Sequence, residues 1–145
     1  MTADRRVFID TNILVYATLR NAPAHAAAMA ALGANGADCY VVSRQILREF
    51  LATMSRPGVA PTPQPMVDLV PIVEHYQRRF TILEDGPLVT ARLHELLRSH
   101  PTAGKQVHDA NIVATMLAHG VGRLLTANRA DFARFEGLIA LLPLA

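Results

Sequence analysis

An acidic residue interrupts the first apolar segment of the chain. The apolar residues 7–9 are followed by Asp10-Thr11-Asn12, and the apolar run resumes over residues 13–16. Consecutive apolar residues without alternation predict a strand that is buried on both faces, as in a parallel sheet. A carboxylate in such a place is costly unless a cation or hydrogen-bond donors meet it. Asp10 therefore predicts either a helix cap or a functional group at the end of a buried strand.

Short apolar runs and segments with helical spacing alternate along the rest of the chain. The predicted strands cover residues 7–10, 39–42, 80–83, 123–126 and 138–142. The predicted helices cover residues 12–19, 23–32, 44–54 with Ser43 as the cap, 66–78, 87–99, 108–119 and 131–135. Strands that alternate with helices are typical of βα units. We therefore expect an α/β fold, in which a short parallel sheet of four or five strands has helices on both faces.

The bulk properties are those of a small globular protein. The chain has 145 residues, of which 51% are apolar and 18% charged, which fits one domain over residues 1–145 and argues against disorder. No apolar run approaches the roughly 20 residues of a membrane-spanning helix. Cys39 is the single cysteine, which excludes an internal disulfide and favours a reducing cytoplasm. The proline-rich segment 56–65 is too short for a domain linker and is interpreted as a surface loop.

Four acidic residues follow different predicted strands. They are Asp10, Glu49, Asp109 and Asp131. Because the carboxyl ends of parallel strands meet at one edge of a sheet, these side chains are expected near one another. Each has an ordinary alternative as a helix cap or a solvated helix residue. Gathered together, however, carboxylates repel one another unless a cation binds, and a site with only oxygen ligands suits Mg²⁺ or Mn²⁺.

Four segments resemble the ordered motifs of PIN domains, and more narrowly those of the VapC-type toxins of bacterial toxin–antitoxin pairs. They read FIDTNILVYA, VVSRQILREF, VHDANIVATMLAHG and LLTANRADFARF. The resemblance spans nearly the whole chain and implies an α/β/α sandwich. It maps the three leading acids of the family to Asp10, Glu49 and Asp109. For the fourth position it offers Asp131, with Asn128 as a further contributor.

The resemblance also implies an activity and partners. A protein of this kind is a Mg²⁺-dependent endoribonuclease that hydrolyses RNA by a metal-activated water, with Mn²⁺ as the alternative cation. Thr11 and Asn12 would shape the turn after the first strand. The expected partners are a VapB-type antitoxin and a second copy of the chain. The RNA could be a transfer, ribosomal or messenger RNA, because the sequence does not distinguish them.

A basic surface around the acids would suit an RNA backbone. Setting the four acids aside leaves eight acidic residues against fourteen lysines and arginines. Four basic residues near the motif ends are the candidates for RNA contacts. They are Arg44, Arg48, Lys105 and Arg129.

Two other functions are compatible with parts of the pattern. A Mg²⁺-dependent phosphatase of the haloacid-dehalogenase type would need a second acid at the position of Asn12, where this chain has an amide. A non-catalytic PIN-like binding module would tolerate loss of the acids, all of which are present.

Overall fold

The computed structural model describes residues 4–33 and 39–144. Five strands and seven α-helices follow one another along the described chain. They are β1 (Arg6–Ile9), α1 (Thr11–Thr18), α2 (His25–Gly33), β2 (Cys39–Ser43), α3 (Arg44–Met54), α4 (Met66–Arg79), β3 (Thr81–Leu83), α5 (Pro87–Ser99), α6 (Gln106–Ala118), β4 (Arg123–Thr126), α7 (Arg129–Phe132) and β5 (Ala140–Pro143), with a 3₁₀ turn (Ala133–Phe135) after α7.

The strands form one sheet in the order β3-β2-β1-β4-β5, and every pairing between neighbouring strands is parallel. This confirms the predicted short parallel sheet, with five strands where four or five were expected. The chain builds outward from β1 to β3 and then returns to place β4 on the other side of β1. Right-handed crossovers put the helices of these two halves on opposite faces of the sheet. α1 accordingly packs on α2 and α3, whereas α5 packs on α6.

The core lies on both sides of the central strand. Phe8 in β1 is fully buried, as are Phe50 in α3, Phe132 in α7 and Phe135 in the turn that follows. Burying each of these rings stabilises the fold by about 1.5–3 kcal/mol relative to leaving it exposed. Because the rings come from elements on both faces, they fix the helical layers against the sheet.

Several predicted strand boundaries differ from the structure by one or two residues, and two of these differences have a clear local reason. The first strand ends at Ile9 rather than at Asp10, because Asp10 turns its side chain back to accept a hydrogen bond from the Thr11 amide and so becomes the cap of α1. The last strand starts at Ala140 rather than 138, because Gly137 (φ 96°) turns the chain just before it.

The prediction that Ser43 caps α3 is correct for its position but wrong for its hydrogen bonding. Ser43 does precede α3, but its side chain makes no capping hydrogen bond. Its Oγ is buried and has no hydrogen-bond partner among the described residues. Five of the other helices begin and end within two residues of their predicted bounds, as expected for helix ends. The helix predicted over residues 131–135 instead ends at Phe132, and the chain continues in the 3₁₀ turn Ala133–Phe135. No helix in the described part of the chain is long and apolar enough to cross a membrane.

Candidate active site

The carboxyl ends of β1 and β4 lie side by side where the strand order reverses. In open parallel sheets this reversal opens a crevice, and it is where ligands bind. Here the crevice is a cleft of about 500 Å³. We call it the acidic cleft because all four predicted acids line it, namely Asp10, Glu49, Asp109 and Asp131. Thr11, Asn12 and Asn128, the other predicted site residues, line it as well.

Asp10 is held at the base of the cleft by a set of donors. The Thr11 amide donates to one carboxylate oxygen over 2.8 Å. The Thr126 hydroxyl and the Asn12 amide group donate to the other over 2.8 and 3.0 Å. Asp10 is only 6% exposed. Burial raises its pKa above the usual range, and the neighbouring Glu49 charge adds to this, although the three donors act in the opposite direction.

Asn12 and Thr126 also hold the backbone that follows β4. The Asn12 side-chain oxygen accepts a hydrogen bond from the Ala127 amide over 3.1 Å. The Thr126 hydroxyl accepts one from the Asn128 amide over 3.0 Å. The ends of β1 and β4 are thus tied together through polar side chains. This arrangement brings Asn128 and Asp131, both exposed, to the rim of the cleft.

Glu49 is oriented by two donors on opposite sides. The Thr11 hydroxyl donates to one carboxylate oxygen over 2.9 Å, and Gln45 donates to the other over 3.0 Å. Gln45 is buried within α3 and also donates to the backbone oxygen of His108 over 2.8 Å. Its own side-chain oxygen accepts from Asn111 over 2.9 Å. Gln45 therefore joins α3 to the first turns of α6.

Asp109 reaches the cleft from the start of α6. It is half-buried, and its pKa is raised to about 6. Burial is the largest cause, followed by the negative charges of Asp131, Asp10 and Glu49, while Arg134 acts in the opposite direction. The four carboxylates are thus close enough to repel one another in the absence of a cation.

The donor set fits a hard divalent cation. It consists of oxygen ligands, and its net negative charge is what such an ion would neutralise. Among residues 4–33 and 39–144, no three acidic, histidine or cysteine side chains are already arranged to hold one ion together. The acids share the cleft, but their side chains would have to draw closer to bind a common cation.

The predicted RNA-contacting residues do not line the acidic cleft. Arg44 forms an exposed ion pair with Glu84, with an N–O distance of 2.7 Å. Arg48, Lys105 and Arg129 are exposed and lie outside the lining. The basic residue that does line the cleft is Arg56, which sequence analysis missed. The available signal was its position directly after α3, at the start of the proline-rich segment.

Sequence comparison identifies relatives across most of the chain. The PIN-domain family model matches residues 7–138. A protein named Ribonuclease VapC24, from Mycobacterium tuberculosis, is 31% identical over 131 residues, which cover 88% of this chain and 89% of the relative.

Solved structures share the fold at lower identity. The Rickettsia felis VapBC2 complex, which was crystallised with a DNA fragment from its promoter, superposes with a TM-score of 0.66 at 20% identity, covering 97% of this chain and 99% of that one. A toxin–antitoxin complex from Klebsiella pneumoniae gives a TM-score of 0.67 at 20% identity, covering 96% of this chain and 98% of that one. The Mycobacterium tuberculosis VapC20, described as a sarcin-ricin loop cleaving toxin, gives 0.64 at 14% identity, covering 81% of this chain and 86% of that one.

Proposed function

The chain belongs to the PIN-domain family, and from that premise we propose that it is an endoribonuclease that acts as the toxin of a toxin–antitoxin pair. The observation that supports this most directly is the acidic cleft. Four carboxylates from four separate segments line one cleft at the strand-order reversal, and the pKa of Asp109 is raised by burial and, after that, by the charges of the other three. A structural role for these acids would not require them to face one another.

The cofactor we propose is Mg²⁺, with Mn²⁺ as the alternative. Asp10, Glu49, Asp109 and Asp131 would hold it, with Asn128 as a further oxygen donor at the rim. A bound divalent cation would supply a nucleophile by lowering the pKa of a water molecule and would neutralise charge on the phosphate. The pKa of Asp109 is raised first by burial and then by the charges of Asp131, Asp10 and Glu49, and a bound cation would offset that second cause.

The remaining polar residues act by positioning the acids. Thr11 and Gln45 hold the two oxygens of Glu49, and Thr126 and Asn12 hold Asp10. These hydrogen bonds already restrict Asp10 and Glu49, so those two side chains lose less freedom when a cation binds. Hydrolysis by water would leave a 5′-phosphate and a 3′-hydroxyl, and the 2′-hydroxyl of the RNA would not act as the nucleophile.

A VapB-type antitoxin is the partner that we propose for this chain. Structures of related fold include toxin–antitoxin complexes. Exposed apolar side chains on α2 and α4 offer contacts to an antitoxin or to a second copy of the chain. They are Met29, Met66, Val67 and Val70. We further propose that the protein works in the cytoplasm, where its RNA substrates lie and its one cysteine stays reduced.

A cleavage assay on total RNA tests the activity. RNA is incubated with wild type or with Asp10→Asn, in Mg²⁺ or in EDTA, and the ends of the products are mapped. The control variant is Asp68→Asn, which changes an exposed acid on α4. We expect discrete cuts with 5′-phosphate ends from wild type and the control. Asp10→Asn and the EDTA samples should leave the RNA intact.

The same preparations distinguish the alternatives. If the folded protein cuts no RNA but hydrolyses a phosphate monoester in Mg²⁺, it is a phosphatase. If it does neither, and Asp10→Asn inhibits the growth of cells that express it as strongly as wild type does, the PIN domain is a binding module. Either outcome would overturn the proposed activity.

A further inference from the structure

We propose that the acidic cleft continues into a second binding site for an unpaired RNA base next to the bond that is cut. The site is a cavity of about 690 Å³, which we call the side groove. It lies between α1, the turn after it, and residues 58–64 of the proline-rich loop. The proposal rests on the proposed ribonuclease activity and adds to it the place where the base beside the cut is held.

One face of α1 forms a wall shared by both cavities. Asn12, Val15 and Tyr16 line the acidic cleft, and Val15, Tyr16 and Leu19 line the side groove. Asn12 and Leu19 are seven positions apart, which corresponds to a rise of about 10 Å along the helix. The nucleotide that adjoins a phosphate in the acidic cleft therefore reaches the side groove without any rearrangement of the chain.

The lining suits a nucleobase. Tyr16, Leu19 and Val59 provide an aromatic and aliphatic surface against which a flat ring can pack. Asn21 and Gln64 provide amide groups that can both donate and accept hydrogen bonds at a base edge. A cavity that is mainly apolar with a few polar groups at its rim is typical of sites for small aromatic ligands.

The charges favour a nucleic acid as the occupant. No acidic residue lines the side groove in the described part of the chain. Arg20 lines it, and Arg56 lines the adjoining acidic cleft, and neither forms an ion pair with another described residue. The guanidinium groups of Arg20 and Arg56 can therefore bind the phosphates of a nucleic acid whose backbone passes the carboxylates of the acidic cleft.

The location also restricts the form of the RNA. A base can enter the side groove only when it is unstacked from its neighbours, which loops, bulges and ends allow and a continuous duplex does not. The proline-rich loop, which the proposed chemistry does not otherwise use, thereby gains a role as the outer wall of a base site.

Two variants test the side groove without altering any residue of the acidic cleft. Ala60→Trp fills the groove, and Arg20→Ala removes its charge. The matched controls are Ala91→Trp and Arg98→Ala, at exposed positions on α5. Each protein is compared with wild type for cleavage of a short single-stranded RNA and of the same sequence annealed into a duplex, with folding checked by thermal unfolding.

Ala60→Trp should raise KM for the single strand by about tenfold or more, the scale of losing one stacked base, with kcat changed less than about threefold. Arg20→Ala should raise KM and reduce the salt dependence of binding by about one phosphate contact. The controls should match wild type, and the duplex should be a poor substrate for all.

Three results would overturn the proposal. If wild type cuts RNA and both variants keep its KM, the side groove does not bind RNA, although the ribonuclease activity stands. If the variants cut RNA normally but escape inhibition by the antitoxin, the groove is a protein-binding site instead. If wild type cuts no RNA under any metal condition, both this inference and the proposed function fail.

Discussion

Replacing Asp109 with asparagine is expected to stabilise the metal-free protein at neutral pH. The pKa of Asp109 is raised from 3.8 to about 6 by burial and by the nearby carboxylates. The folded protein therefore binds more protons at this residue than the unfolded chain does between these two values. Because of this, the free energy of unfolding falls as the pH rises from about 4 to about 6. Asparagine has a similar shape, does not ionise and avoids this loss.

The size of the effect follows from the pKa difference. A change from 3.8 to about 6 corresponds to about 3 kcal/mol. Asp109 is only half-buried, so solvent screening reduces this to about 1–2 kcal/mol. No hydrogen bond to the Asp109 carboxylate occurs among the described residues, so the substitution removes a repulsion without breaking a contact.

Urea unfolding in EDTA measures the difference at about pH 4 and at about pH 7.5. We expect Asp109→Asn to exceed wild type by about 1–2 kcal/mol at the higher pH and to match it at the lower pH. The control Glu74→Gln, an exposed acid on α4, should match wild type at both. Adding Mg²⁺ should stabilise wild type and not Asp109→Asn, because a cation stabilises only a protein that binds it.

A destabilising effect of Asp109→Asn at about pH 7.5 in EDTA would refute the reasoning. A stability difference of the same size at both pH values would also refute it. Either result would mean that burial and the neighbouring carboxylates do not raise the pKa of Asp109 in the folded protein.

Three further substitutions probe the supports of the site and the core. Gln45→Leu removes the hydrogen bonds that Gln45 makes to Glu49, His108 and Asn111, so it should lower the free energy of unfolding by about 1–3 kcal/mol. It should also raise the Mg²⁺ concentration needed for half-maximal cleavage, and an unchanged Mg²⁺ requirement would count against a positioning role. Thr126→Val removes a donor from Asp10 and should reduce cleavage and the melting temperature together, and full activity at wild-type Mg²⁺ would contradict this. Phe132→Ala empties a fully buried position beside the cleft and should cost about 3–5 kcal/mol in urea unfolding; a loss under about 1 kcal/mol would show that the ring is not part of the core.

The fold could be predicted from the sequence because each strand and helix is indicated by residues within its own segment. Consecutive apolar residues indicate the buried strands, and the helix predicted over residues 87–99 has the same bounds in the structure. The alternation of strand and helix then left few ways to arrange the chain. Asp10 stood out for the same reason, since a carboxylate inside an apolar run needs a special explanation.

The residues that position the acids could not be predicted from the sequence, because their roles depend on contacts between distant segments. Gln45 acts through His108 and Asn111, more than 60 positions away, and nothing in its own neighbourhood indicates this. Thr126 ends a strand and reads as an ordinary strand residue until its hydroxyl meets Asp10. The four basic residues predicted to contact RNA lie close to the motifs in sequence, but closeness in sequence does not determine which side chains face a cavity.

The most direct test of the central claim is the initial rate at which the metal-stripped protein cuts one defined single-stranded RNA as Mg²⁺ is added. Wild type should be inactive without Mg²⁺ and should gain activity with a saturable dependence on its concentration. Asp10→Asn should stay inactive throughout while it remains folded, and Asp68→Asn should follow wild type. Cleavage by Asp10→Asn at the wild-type rate, or cleavage by wild type that is indifferent to Mg²⁺ and Mn²⁺, would contradict a cation-dependent ribonuclease built on the acidic cleft.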